Sequence, residues 1–268
     1  METIAQKRGF DEFTLKMIAV VTMFIDHFAA TVVERILVAS GTGVGFAMSG
    51  EAWDALYVAY QILRGIGRLA FPIYCYLIVE GLYHTRSVPK YALRLGLFAL
   101  ISEVPFDLAF NEVYGTGKWL EFGYNNVFFT LFVGLVTVAC MKLVNDHTKS
   151  ERFQKPVFLV AKSIANLAIL FTGMVVAEFL LRTDYGGCGV AAIGVMYMLY
   201  GRPRLAFAGA VLVLALLGDP LELVAIVLVV LIGYCNGQRG RQMKYFFYAF
   251  YPVHLLLLEL LCIALGIG

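Results

Sequence analysis

Apolar residues run along this chain in stretches of helix-spanning length, separated by short charged or glycine-rich clusters. A helix needs about 20 mostly apolar residues to cross a bilayer. Nine segments read as spans, at roughly 14–34, 64–83, 90–110, 126–142, 156–181, 186–200, 204–218, 220–235 and 245–266. Three of these, 186–200, 204–218 and 220–235, are short and also read as two tilted crossings. Asp11-Glu12-Phe13-Thr14 is a helix-start signal ahead of the first span. Ala52 to Gln61 reads as a surface helix leading into the second. No internal repeat or low-complexity tract interrupts the pattern, so residues 1–268 are taken as one domain. The expected fold is an all-α polytopic membrane helical bundle of about nine helices (8–10).

Composition agrees with the pattern. Hydrophobic residues make up 60% of the chain and charged ones 15%, against about 25% charge in an ordinary soluble domain. That excludes a disordered chain and a typical soluble globule. The net charge of +2, with its Lys and Arg dispersed, gives no footing for nucleic acid. Cys75, Cys140, Cys188, Cys235 and Cys262 lie in or beside apolar runs with no C-x-x-C pair, so neither a metal site nor a disulfide framework is expected. The first apolar run follows a charged stretch and is long enough to span, which argues against a cleavable signal peptide.

Orientation follows from where the cations fall. With the N-terminus cytoplasmic, the inner loops and helix ends hold Lys7, Arg8, Lys16, Arg86, Lys90, Arg94, Lys142, Lys149, Arg152, Lys155, Arg202, Arg204, Arg239, Arg241 and Lys244, 15 of 21 basic residues. The outer loops hold Arg35, Lys118 and Arg182. An odd number of crossings with an outer C-terminus is therefore expected.

An ionisable side chain inside a span is costly unless it is paired or faces a cavity, which makes it a functional candidate. Lys16 and His27 are eleven residues apart on the first span, three turns and hence one face, about 16 Å along the axis. Met23 and Glu34 share that stripe, and Asp26 points to one side of it. Histidine is the side chain whose ordinary pKa suits proton abstraction near neutrality. Arg64 and Arg68, at i and i+4 in Arg64-Gly-Ile-Gly-Arg68, repel unless an anion lies beside them: a phosphate, or the acids of the third span. Gly65 and Gly67 allow another backbone to approach. Glu103 and Asp107 supply acids at the same spacing, with Pro105 between them to kink the helix.

Alternating spans bring Arg64, Arg68, Glu103, Asp107, Asn125, Asn126, Glu178 and Asp184 to the outer half, which predicts a polar pocket there. Thr183-Asp184-Tyr185-Gly186-Gly187-Cys188-Gly189 reads as a glycine-rich turn with one acid at the outer surface. Tyr251-Pro252-Val253-His254 places a second histidine in the last span, whose reading as structural or functional stays open.

With these residues laid out, the chain resembles the TraX family, integral-membrane proteins named for conjugative pilin N-acetylation. The resemblance rests on Leu15-Lys16-Met17-Ile18-Ala19 with Met23-Phe24-Ile25-Asp26-His27, on Gly67-Arg68-Leu69-Ala70-Phe71-Pro72-Ile73-Tyr74, and on Glu80-Gly81 with His84-Thr85. It continues through Tyr91-Ala92-Leu93-Arg94-Leu95, Ser102-Glu103-Val104-Pro105-Phe106-Asp107, Asn126-Val127-Phe128-Phe129-Thr130-Leu131, Asp184-Tyr185-Gly186-Gly187, and Lys244-Tyr245 through His254. A looser similarity reaches the transmembrane acyltransferases. Their first span carries a basic residue, ten intervening residues and a histidine, which Lys16 and His27 match. Their paired arginines are separated by two residues, where this chain has three.

The resemblance implies acetyl-CoA as donor, without a metal, and O- or N-acetyl transfer to an amine or hydroxyl on a pilin-like peptide, sugar or small amine. Lys16, Arg64, Arg94 and Arg241 are then the acetyl-CoA candidates. His27 is the general base, Arg68 stabilises developing oxyanion charge, and Glu103 or Asp107 orients that arginine or holds an acceptor ammonium. Asp26, Asn126, Asp184, Tyr185 and His254 are the acceptor-side candidates. Two other classes stay open: a proton- or solute-coupled transporter, and a non-catalytic membrane component of a conjugation or secretion system.

Overall fold

Asp11 caps the first helix by accepting the Thr14 backbone N–H at 2.9 Å, so helix formation begins at Glu12 as the sequence signal requires. The computed structural model describes residues 9–42, 48–114, 120–150, 155–241 and 243–267. Lys7, Arg8, Lys118 and Arg152, counted in the charge asymmetry, lie outside the described residues, as does the side chain of Lys244.

The helices are α1 (Glu12–Phe28), a π-helical turn (Ala29–Val33), α2 (Glu34–Thr42), α3 (Gly50–Gly67), α4 (Ala70–His84), α5 (Val88–Tyr114) and α6 (Val127–His147). They continue as α7 (Pro156–Val175), a second π turn (Val176–Leu180), α8 (Gly186–Met198), α9 (Pro203–Leu217), a 3-10 segment (Pro220–Val227), α10 (Leu228–Gly233) and α11 (Lys244–Leu265). No strand occurs among the described residues; two isolated bridges tie loops together.

Every segment read as a span is helical, but among the described residues five helical stretches are both long and apolar enough to cross a membrane: Glu12–Gly41, Gly50–His84, Val127–His147, Pro156–Leu180 and Tyr245–Leu265. Helix α5 has ample length at 27 residues, yet Lys90, Arg94, Glu103 and Asp107 dilute its apolar content. Gly186–Met198, Pro203–Leu217 and Pro220–Gly233 are short. Ala52 to Gln61 is not a separate surface helix; it is the front of α3, which runs unbroken to Gly67. Pro105 and Pro252 are both accommodated within continuous helices.

Contacts along α1 define the packing directions. Helix α3 runs antiparallel to α1–α2, with Trp53 Nε1 donating to the Leu37 carbonyl at 3.3 Å, the Tyr60 hydroxyl donating to Glu34 at 3.0 Å, and Arg64 paired with Asp26. Helix α11 runs parallel to α1: Phe13 meets Phe247, His27 meets His254, and Arg35 pairs with Glu259 at 2.8 Å. A parallel first and last helix leaves the start of α1 and the end of α11 at opposite ends of the bundle. Helix α8 is rich in Gly and Ala and almost wholly buried, in contact with α4, α6, α7 and α9. Helix α7 instead turns Val157, Val160, Ile164, Leu167 and Phe171 outward, the surface expected against lipid.

Gly67 decides how closely α3 approaches α1. A Cβ there would overlap the Asp26 side chain, whereas one at Gly65 meets open space. Gly67→Val is expected to wedge the helices apart and lower stability by about 1–3 kcal/mol, while Gly65→Ala stays within about 0.5 kcal/mol of the parent. Thermal melting of the detergent-solubilised protein measures both.

Candidate functional site

The first helix changes pitch where the chemistry sits. His27 is the penultimate residue of α1, and the π turn begins two residues later, with the Thr31 hydroxyl donating to the His27 carbonyl at 2.6 Å. The second π turn carries Glu178. Such turns recur at functional sites because the extra residue re-aims the side chains around it. Both border one cavity of about 560 Å³, walled by the later part of α1, the end of α3, the start of α4, the loop before α8 and the junction of α9 with the 3-10 segment.

Of the residues singled out from sequence, His27, Asp26, Arg64, Arg68, Asp184 and Tyr185 line this cavity. Arg64 Nη1 lies 2.6 Å from Asp26 Oδ1. Arg68 Nη2 lies 3.1 Å from Asp219 and its Nη1 3.4 Å from Glu222, whose side chain is only 2% exposed. The Arg68 Nε–H, also buried, has no hydrogen-bond partner among the described residues.

The arginines are therefore balanced by acids of α1 and the 3-10 segment, and the expected pairing with the third span does not form. Glu103 and Asp107 face the other way. Glu103 is fully buried and accepts from the Asn126 backbone N–H and side-chain amide; Asp107 accepts from the Glu121 backbone N–H at 2.6 Å. Asn126, buried as well, caps α6 by accepting the Phe128 N–H at 3.0 Å and is absent from the cavity wall. These three residues secure the start of α6 and the loop before it.

That loop in turn sets the cavity rim. Asn125 bridges to Thr183, with the Asp184 N–H donating to the Asn125 carbonyl at 2.9 Å. Tyr185 stacks on Phe71 at 3.5 Å between ring centroids. Gly186 has φ +44°, in the left-handed region, and a Cβ there would overlap Glu178, which accepts the Gly187 N–H at 2.8 Å. Burial pushes the Asp184 carboxyl above the usual carboxylate range, opposed by the Tyr124 hydroxyl, which donates to it at 2.7 Å.

The remaining basic candidates lie elsewhere. Lys16 pairs with Glu12 at 3.2 Å, near the segment in which Arg239 donates to the His84 carbonyl at 2.7 Å. Arg94 and Arg241 are exposed and do not line the cavity. Glu12, Glu80 and His84 bring three donor atoms within 4.8 Å of one another, but Lys16 already neutralises Glu12.

His254 also leaves its expected role. It is 3% exposed and stands behind His27, with His27 Nδ1 2.6 Å from His254 Nε2. Sequence reading missed Asp219, Glu222, Tyr60 and Tyr74 in the cavity wall. A usable signal was present in Gly218-Asp219-Pro220-Leu221-Glu222, two acids in an otherwise apolar stretch.

The sequence matches the family model described as TraX protein over residues 12–262. It is 26% identical over 258 residues to a protein of Dichelobacter nodosus named "Probable fimbrial assembly protein FimC, serogroup H1", covering 93% of this chain and 94% of that one. No solved structure matches.

Proposed function

The chain belongs to the TraX family, and from that premise we propose that it is a multi-pass membrane acetyltransferase acting on an amine, with acetyl-CoA as donor and His27 as general base. The observation that carries the reading is a histidine lining an otherwise acid-rich cavity with one ring nitrogen engaged and the other without a hydrogen-bond partner among the described residues.

The wall holds six carboxylates, Asp26, Glu34, Glu178, Asp184, Asp219 and Glu222, against two arginines that are already paired. Such a field attracts an ammonium and repels the phosphates of coenzyme A, so the cavity suits the acceptor. Tyr60, Tyr74 and Tyr124 add π-faces of the kind that hold cations. The fimbrial assembly name of the relative supports a pilin-like peptide N-terminus as that acceptor. Arg64, in this arrangement, orients Asp26 and does not bind phosphate.

With the N-terminus in the cytoplasm, acetyl-CoA approaches the end of α1 that bears Lys16, and the acceptor enters from the opposite face of the bacterial cytoplasmic membrane. A phosphate reaching Lys16 exchanges with Glu12. The amine, once neutral, attacks the thioester carbonyl while His27 Nε2 takes its proton. Negative charge develops on the carbonyl oxygen, which the unpartnered Arg68 Nε–H is suited to receive. Collapse breaks the C–S bond, and the proton on His27 passes to the departing thiolate, giving the acetylated amine and free coenzyme A.

The purified protein in nanodiscs is expected to transfer label from acetyl-CoA to a pilin-like peptide with a free N-terminus, and not to the same peptide blocked there. Label moving equally to hydroxyl acceptors would overturn the amine assignment. No transfer and no coenzyme A binding by calorimetry would favour the second reading, carried by the relative's name: a non-catalytic assembly component.

A further inference from the structure

Two histidines from the first and last helices meet where the cavity ends. The His27 and His254 rings are inclined by only 3°, with centroids 4.9 Å apart and the facing nitrogens 2.6 Å apart. That centroid separation is the nitrogen–nitrogen distance plus two ring radii. The two nitrogens therefore lie on the line between the centroids, and the rings meet edge to edge in one plane. One nitrogen aims its lone pair straight at the proton of the other, the geometry of a strong hydrogen bond.

Which nitrogen carries the proton follows from a third group. His254 Nδ1 lies 2.7 Å from the Phe250 carbonyl. A carbonyl oxygen can only accept, so Nδ1 of His254 is protonated. In the neutral ring Nε2 is then bare and must accept, which puts a proton on His27 Nδ1 and leaves His27 Nε2 bare.

We infer that His254 is a positioning residue: it holds His27 in the tautomer whose proton sits on Nδ1, so that Nε2 is the nitrogen offered to the acceptor. The role attached to this pair rests on the acetyltransferase reading, whereas the tautomer itself does not.

The surroundings favour this neutral pair. Phe250 stacks on His254 at 4.6 Å, Phe24 and Tyr251 close its other sides, and Phe110 and Tyr251 meet His27 edge-on. No carboxylate is in hydrogen-bond contact with His254 among the described residues; the Asp26–Arg64 pair lies on the His27 side and the Arg35–Glu259 pair further along α11. An aspartate in the place of His254 would be a charge buried among aromatic rings, whereas a neutral imidazole orients His27 without that desolvation cost. When His27 gains a proton at Nε2, its Nδ1–H becomes a charge-assisted donor to His254, so the bond strengthens as the reaction proceeds.

The test reads the tautomer directly and activity beside it. In protein labelled with ¹⁵N-histidine, with His27 assigned by loss of its signals in His27→Gln, the parent is expected to show a protonated Nδ1 and a bare Nε2. In His254→Leu, which removes the acceptor, the His27 proton is expected to move mainly to Nε2. Turnover there should fall by about 10²-fold with the acceptor KM changed less than threefold. His254→Gln places an amide oxygen near the lost Nε2 and should keep the parent tautomer and at least a tenth of its turnover. A protonated Nε2 on His27 in the parent overturns the inference, as does His254→Leu with parental turnover. If the parent shows the expected tautomer but transfers no acetyl group, the positional assignment stands and the acetyltransferase reading falls.

Discussion

Replacing His27 with alanine or glutamine is expected to lower acetyl transfer by about 10²–10⁴-fold. An ammonium acceptor is not a nucleophile until it loses a proton, and the nitrogen stays cationic through the addition unless a base removes a second one. His27 is the imidazole in the cavity wall, and neither substitute side chain is basic. The fall should appear in kcat, with acetyl-CoA affinity near the parental value, because Lys16 lies about 16 Å away along the helix. Single-turnover transfer in nanodiscs, with coenzyme A binding by calorimetry on the same samples, separates the two. Undiminished transfer in folded His27→Ala and His27→Gln samples would sink the general-base assignment.

A second large effect is expected at Arg68, and on stability. Glu222 is 2% exposed, and the Arg68 guanidinium at 3.4 Å is its counter-charge, with the Tyr185 side chain beside it. Removing one member of a buried pair strands the other, typically at about 3–5 kcal/mol. Arg68→Met should therefore melt far below the parent. Arg68→Met with Glu222→Gln should recover much of the loss, since the stranded charge is gone and a neutral amide replaces it. Asp219, with its side chain 49% exposed, retains water and should contribute little to this coupling. Melting of the four proteins closes a double-mutant cycle, and additive losses would contradict the coupling. The double variant should still be inactive, because the Arg68 Nε–H assigned to the oxyanion is missing.

Much of this was legible before any tertiary contact was known. Each segment read as apolar is helical, and Asp11 caps the first of them, because apolar run length and capping are properties of consecutive residues. The spacing of Lys16 and His27 along one helix, and the close approach allowed at Gly67, were equally local. Pairings between helices were not. Arg64 and Arg68 share a helix face, and the acids of the third span occupy a similar depth, but equal depth does not mean equal azimuth. Glu103 and Asp107 rotate toward the start of α6, and the counter-charges come from Asp26 and from Asp219 and Glu222 near the other end of the chain.

His254 shows the same division most clearly. As a lone polar residue in an apolar helix it was compatible with structure or function, and its chemistry depends on meeting His27, 227 residues away, in a common plane. Hydrophobic periodicity, the sign of loop charges and the presence of ionisable groups in apolar runs are written in the sequence because they need only neighbouring residues. Which charge neutralises which, and which histidine nitrogen is left bare, was decided by helix rotation and close packing, where every element of the bundle contributes at once.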